Sequence, residues 1–268
     1  MNPSLHPADI SAYLAEPSAA EREFSRLFRA DEPLVICDIG ACEGEDSVRY
    51  ARAYPRARVF AFEPLPANQA LVRANLARHA VTNTELIPLA LADRAGEAVF
   101  HVSSGRPPDL FAGENWNYGN KSSSLLAPAQ AGPMHGWIEF KEMITVPTGT
   151  LDDFCALRGL DHIDFIQMDV QGAEQLVLAG ATAMLPHITA IWLEVSVREH
   201  YRGQALAADI TRLMRRHGFK LAHSVYLGDA IGEGDHLYLN RRHPRTWLYT
   251  ATRQLRATVG QLKRALLS

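Results

Sequence analysis

The chain has 268 residues, of which 47% are hydrophobic and 21% charged, enough for one large α/β domain and unlike a disordered or fibrous composition. A formal net charge of −3 gives no global attraction to nucleic acid, and three cysteines (Cys37, Cys42, Cys155) without a CxxC pair speak against a disulfide scaffold or a zinc ribbon. The first residues lack a signal-peptide pattern and no apolar run approaches the ~20 residues that span a bilayer, so a soluble protein of the reduced cytoplasm is expected.

Short apolar runs alternate with longer helical patterns along the chain, which is the mark of a parallel sheet covered on both faces. Residues 33–40 read as a buried strand, 46–54 as a helix opening among acids, 57–64 as the second strand and 67–80 as a helix. A third strand is expected at 84–91, and a half-exposed strand at 96–103 is expected to pair with 142–150. Then follow a helix at 151–160, a strand at 162–170, a helix at 173–185, a strand at 188–196 and a helix at 204–218. The pair 219–228 and 234–242, split by a glycine-rich turn, reads as an antiparallel hairpin.

The expected organisation is an N-terminal helical extension (1–32), a main α/β domain (33–242) and a basic C-terminal helix (243–268). Segment 103–142 is too long for a passive connection; with Trp116, Tyr118 and Trp137 it suits a lid or acceptor-binding loop, although a plain solvent loop is the bland alternative. In the tail, Leu248, Ala251, Leu255, Val259, Leu262 and Leu266 step by three and four, and no acid follows Asp235. Such a helix is compatible with a membrane surface, but packing on its own domain or on a homodimer mate is favoured.

Four expected strands end in a carboxylate: Asp38, Glu63, Asp169 and Glu194. Open parallel sheets bind ligands outside the carboxyl ends of their strands, so one crevice is expected to collect these acids; helix capping is the alternative. The first turn reads Gly40-Ala41-Cys42-Glu43-Gly44, with Cys42 where a dinucleotide fingerprint needs its second glycine, and Glu43, Glu45 and Asp46 nearby. Acids at that mouth disfavour a pyrophosphate and favour a cationic sulfonium nucleoside, S-adenosylmethionine. Glu63, at a strand end nineteen positions after Gly44, suits ribose hydroxyls, a role that acids also play in NAD-binding folds.

The stretches "DIGACEGEDSVRYA", "VFAFEPLPANQALVRANL", "NKSSSL", "VPTGTLDDFC" and "IDFIQMDVQGAEQLVLAGA" resemble, in order, the FkbM-type methyltransferases, over about residues 34–196. The resemblance implies a class I methyltransferase (Rossmann-like) fold, a mostly parallel seven-stranded sheet with an antiparallel C-terminal hairpin. It implies S-adenosylmethionine as donor and a hydroxyl of a small secondary metabolite, sugar or related molecule as acceptor. By the same resemblance Asp38, Gly40, Ala41 and Gly44 form the cofactor turn, Ser47 opens the next helix, and Glu63 holds the ribose with Pro64 and Asn68 beside it. Ala90 and Leu91 flank the adenine, and Asp169 stands beside the methyl group, followed by Gln171, Gly172 and Glu174. The family pattern has Asn where this chain has Cys42.

Methyl transfer to an alcohol calls for a general base, and the candidates are Asp169, Glu194, His135 and His200, with Asp169 favoured by its place. Binding the donor's ammonium is an equal role for Asp169. Asn120, Lys121, Ser123 and Ser124, in a cluster of amides, hydroxyls and one cation, are the candidate acceptor-binding residues. No His/carboxylate spacing marks a metal site, so none is expected. The rival readings are an NAD-type oxidoreductase and a non-catalytic nucleoside-binding module.

Overall fold

The computed structural model describes residues 10–106, 119–129, 136–226 and 232–251. Strand β1 (Val35–Ile39) is buried at every position, as an unbroken apolar run predicts for a strand covered on both faces. Parallel to it lie β2 (Arg58–Phe62) on one side and β7 (Ile163–Met168) on the other. β3 (Thr84–Ile87) pairs with β2, and β8 (Ile188–Ser196) with β7, all parallel. The antiparallel strands β9 (Phe219–Tyr226) and β10 (Glu233–Asn240) complete a seven-stranded sheet of order β3-β2-β1-β7-β8-β10-β9. This is the class I methyltransferase arrangement expected from the resemblance.

Helices cover both faces. On one side α5 (Leu151–Arg158), α6 (Glu174–Ala179) and α7 (Ala207–Arg216) bury Leu151, Val177, Ile210 and Met214 against Ile166, Ile191 and Tyr238. On the other, α2 (Ala19–Leu27) and α3 (Glu45–Ala53) pack Phe24 and Tyr50 onto Phe165 and Trp192, with Phe24 and Phe165 ring centroids 4.6 Å apart, edge to face. α4 (Pro66–Arg78) carries Val72 against Ala41 and Ala61 at the start of the cofactor turn. The short α1 (Ser11–Ala15) lies against α3. A last helix, α8, is described over 244–251 and places Tyr249 in the second core; the rest of the expected basic helix lies outside the described residues.

Three expectations change. The third strand stops at Ile87, because Pro88 has no N–H for the ladder, and the chain resumes as β4 (Ala90–Leu91) in a different sheet. That second sheet, β4-β6-β5, joins β4 to β6 (Ile138–Gly149) in parallel and pairs β6 antiparallel with β5 (Gly96–Gly105). The pairing of the two long strands agrees with the sequence reading, but both are longer than expected and leave only 106–137 between them. The helix expected at 173–185 ends at Ala179; Gly180 follows, packed so closely on Ala92 that a Cβ would stand 2.0 Å from its carbonyl oxygen.

Candidate active site

The order β2-β1-β7 puts the point where the strand order reverses at the carboxyl end of β1, where open α/β sheets bind ligands. A cleft of about 520 Å³ opens there. Its wall includes Gly40, Cys42, Glu63, Pro64, Asn68 and Ala90, and Asp169 and Gln171 close it opposite Glu63. The turn after β1 is built for close approach. Gly40 has φ +90°, and a Cβ on it would stand 1.8 Å from the Asp169 carbonyl oxygen, so only glycine fits. The Gly40 and Ala41 N–H groups both donate to the Phe62 carbonyl oxygen, at 3.0 and 2.9 Å. Cys42 holds φ +48°, a left-handed conformation that Asn tolerates better than Cys does.

The strand-end acids have different fates. Glu63 is buried and accepts the backbone N–H groups of Cys42 and Leu65, both at 2.8 Å. Burial nevertheless pushes its carboxyl up to about 7. Asp38 lies inside β1 rather than at the rim; the Ser47 hydroxyl donates to it at 2.5 Å, and burial first, then the charge of Asp46, push it well above the usual carboxylate range. Asp38 and Ser47 therefore lock the first turn of α3 to β1. Neither they, nor Ala41 and Gly44, line the cleft directly.

Asp169 follows β7 at the mouth of the cleft with its side chain exposed there, while the walls beside it displace enough water to raise its carboxyl, an effect the Gln171 amide partly offsets. Gln171, at φ +53°, donates its Nε2 to Asp169 Oδ1 at 2.7 Å and to Glu194 Oε2 at 2.9 Å. Its Oε1 lies 2.8 Å from the Tyr201 hydroxyl, whose single proton it shares with the Ser122 carbonyl oxygen. Burial and then the charge of Asp169 hold the Glu194 carboxyl well above its ordinary value. The structure thus brings two of the four base candidates, Asp169 and Glu194, together through one amide. His200 is elsewhere, with its Nε2 3.7 Å from Glu233 Oε1. His135, Trp116 and Tyr118 lie outside the described residues.

The acids of the turn require a correction. Glu43, Glu45 and Asp46 were expected to face a cationic ligand with free charge, but each is engaged. Asn120 Nδ2 donates to Glu43 Oε1 at 3.0 Å, Lys121 Nζ pairs with Glu45 and lies 3.6 Å from Glu43 Oε2, and the Tyr13 hydroxyl donates to Asp46 at 2.9 Å. Partial loss of water works against the charge of the half-exposed Lys121, yet Glu45, Cys42 and Glu43 outweigh it and raise its pKa. Asp46 also sits beside Arg49, whose buried guanidinium is held by Glu21 at 2.7 Å and by the Tyr13 and Glu16 carbonyl oxygens.

Residues 119–129 form a strap across the cleft. Asn68 donates to the Asn120 carbonyl oxygen at 3.4 Å, Ser124 to the Gln171 carbonyl oxygen at 2.8 Å, and Tyr201 to that of Ser122 at 2.8 Å. Pro128 and Tyr201 form a bridge, and the Ala129 N–H donates to the His200 carbonyl oxygen. Asn120, Lys121 and Ser123 line the cleft, whereas Ser124 is buried and spent on the strap itself. No spacing signal in the sequence pointed to Tyr201 or Asn75, which clamp the strap and the Glu43 carbonyl oxygen respectively.

The cleft suits S-adenosylmethionine on its own terms. It has a side-chain-free cradle at Gly40, a buried acid opposed to an apolar wall of Leu89, Ala90, Leu91 and Phe100, and a lone lining cation, Lys121, already paired with carboxylates. A pyrophosphate would find no free positive charge among these lining residues.

Residues 38–221 match the Methyltransferase FkbM domain family. The chain is 38% identical to the 2-O-methyltransferase NoeI of Sinorhizobium fredii, across 68% of this chain and 71% of that protein. It is 32% identical to the 31-O-demethyl-FK506 methyltransferase FkbM of Streptomyces tacrolimicus, across 69% and 72%. In shape it is similar to a SAM-bound magnesium protoporphyrin IX methyltransferase from Synechocystis PCC 6803, at 14% identity and TM-score 0.47 over 88% of this chain and 79% of that one, a distance at which nothing about the site follows. With this match over most of its length the nicotinamide reading falls away, and the chain belongs to the FkbM family of S-adenosylmethionine-dependent methyltransferases.

Proposed function

We propose that the protein moves the methyl group to a hydroxyl oxygen of a small hydroxyl-bearing acceptor, with Asp169 receiving the hydroxyl proton. The observation that carries this reading is the joint placement of Asp169, Glu63 and Gly40 around one cleft, with Asn120, Lys121 and Ser123 of the strap on the same wall. When bound, S-adenosylmethionine supplies an electrophilic methyl on a sulfonium that leaves as a neutral thioether. The chain's own work is then to hold both partners and accept one proton. Positioning is worth up to ~7–11 kcal/mol in well-oriented systems, and a placed base typically ~10²–10⁴-fold in rate.

Glu63 is the group suited to the ribose hydroxyls, and Ala90 and Leu91 to the apolar face of the adenine. Gln171 fixes the rotamer of Asp169 through its 2.7 Å bond, and Glu194 shares that amide, so the base stays aimed at the cleft. An oxygen acceptor accords with two relatives whose names specify O-methyl transfer. The test is incubation with isotopically labelled donor and panels of oligosaccharides and hydroxylated macrocycles, with mass analysis of the product. The reading expects label on oxygen and loss of at least ~10²-fold turnover in Asp169→Asn with donor binding retained. Label found on nitrogen or carbon overturns it.

A further inference from the structure

The last described helix, α8 (244–251), has two unlike faces. Inward, the Thr246 hydroxyl donates to the Asn240 carbonyl oxygen at 2.6 Å, and the buried Tyr249 donates its hydroxyl to Glu23. Arg245 anchors the same side, held by Glu32 and by the Leu27 carbonyl oxygen. Outward stand Trp247, 76% exposed, and Leu248, 68% exposed, with Ala251 one turn on and also exposed. The sequence reading favours packing of the stripe that begins Leu248, Ala251 on the domain or on a mate. In the structure Tyr249 enters the core instead, and Leu248 and Ala251 point away from it. A large apolar pair held at the surface by a helix fastened on its other side has the form of a docking face.

The charge beside it selects the partner. Trp247 and Ala251 share the wall of a hollow with Lys220 and Arg241. Partial loss of water and then the charge of Arg241 lower the Lys220 pKa, so two cations are crowded together there. Lys220 donates to the Thr250 hydroxyl, and among the described residues neither it nor Arg241 nor Arg242 forms an ion pair with an acid. From His236 to Ser268 the sequence carries cations and no Asp or Glu. The whole chain has a net charge of −3, so the attraction for anions is local to this face.

Exposed Trp and Leu joined to unpaired cations suit the boundary of an anionic bilayer. Trp sits well at headgroup level, Leu buries among the acyl chains, and Lys and Arg meet the phosphates. A two-fold copy of the chain would set like charges against one another. A nucleic acid would engage the cations and leave Leu248 in water.

We propose that α8 docks the protein on a membrane leaflet rich in anionic phospholipid, with Trp247 and Leu248 entering the interface and Lys220, Arg241 and Arg242 on the headgroup phosphates. No described helix is long and apolar enough to cross a membrane, so the contact is peripheral. None of these residues lines the cleft, and the inference stands or falls separately from the choice of methyl acceptor.

The experiment mixes full-length protein with unilamellar vesicles of phosphatidylcholine alone, or of two parts phosphatidylcholine to one part phosphatidylglycerol, and reads the bound share by co-sedimentation. Expected is binding at least ~10-fold tighter to the mixed vesicles, weakening as salt rises, with a blue shift of tryptophan emission that Trp247→Ser abolishes. Trp247→Ser with Leu248→Ser should weaken partition about tenfold or more, and Lys220→Gln with Arg241→Gln roughly tenfold. Leu157→Ser, at an 83% exposed position of α5 on the opposite face of the sheet, should change nothing. Donor binding by calorimetry, unchanged in each variant, certifies the fold, and either pair of substitutions serves if the other fails to fold. No binding, equal binding to both vesicles, or binding indifferent to both pairs overturns the docking face. A smaller mass of the vesicle-free Trp247→Ser protein in sedimentation, without vesicle binding by the wild type, assigns the face to a second copy and overturns it. Binding of an RNA oligonucleotide, lost in the Lys220 and Arg241 pair and again without vesicle binding, assigns the cations to nucleic acid and overturns it too.

Discussion

Gly40 and Asp169 meet backbone to backbone: a Cβ on residue 40 would stand 1.8 Å from the Asp169 carbonyl oxygen, and the Asp169 N–H donates to Ile39 at 2.9 Å. The turn after β1 and the end of β7 are therefore one rigid unit. Gly40→Ala combines a positive φ with this clash, and it should cost more than about 1 kcal/mol. A fall in melting temperature of at least roughly 2–4 °C, together with loss of donor binding by calorimetry, is the expected result.

Glu63 links pH to stability. Its folded pKa, about 7, lies above the ordinary value of 4.5, so between those values the folded chain binds the extra proton. Stability contributed by this group is present at low pH and is lost as pH rises through about 7. Other raised acids slope the same way, so the informative quantity is the difference between wild type and Glu63→Gln. In urea unfolding of donor-free protein, the variant should show a shallower decline from pH 5 to pH 7.5, and its donor affinity should fall about tenfold or more. Parallel pH curves would refute the assignment.

Lys121 couples the strap to the cofactor turn through Glu45 and Glu43. A double-mutant cycle with Lys121→Met and Glu45→Gln, read as donor affinity, should give a coupling energy of about 0.5–3 kcal/mol. Rising salt should shrink that coupling, since Lys121 is half exposed. Additive single effects would mean that the pair is ornamental.

Arg49 ties α1 and α2 to α3. Its side chain is 4% exposed and bonded to Glu21, to Glu16 and to Tyr13. Breaking a buried pair on one side costs about 3–5 kcal/mol, so Arg49→Met should melt roughly 6–20 °C lower. Limited proteolysis should cut the variant first within residues 10–30, and an unchanged digestion pattern would count against the tie.

Cys42 offers a gain. At φ +48° it occupies a conformation that Asn adopts more readily, and Asn is the residue of the family pattern at this place. Cys42→Asn should raise the melting temperature by roughly 1–4 °C without weakening donor binding.

Much of this architecture was legible before any coordinates. Apolar runs ending in Asp169, Glu63 and Glu194 located the strands and the rim, because burial on both faces leaves no polar alternation to confuse the reading. Gly40 announced the tight turn. Less visible was the work of tertiary partners. Asp38 resembled a rim acid, yet Ser47 claims it inside the sheet. Glu43, Glu45 and Asp46 looked like free charge until Asn120, Lys121 and Tyr13, 33 to 77 positions away, came to meet them. Pro88 was in plain sight, but its effect, sending β4 into a second sheet, depends on β6 being available nearly sixty residues later. Glu174 read as a helix opener, and only folding sets it beside Asp169 and Glu194.

Because the segment 119–129 is fastened on one flank to Asn68, Glu43 and Glu45 and on the other to Gln171 and Tyr201, traffic into the reaction chamber is a matter of unbuckling. A donor leaving past this belt would have to break and remake those fastenings. On that route turnover is expected to answer to how quickly the buckle opens as well as to bond-making at carbon, and to change with ionic strength, which loosens the Lys121 end.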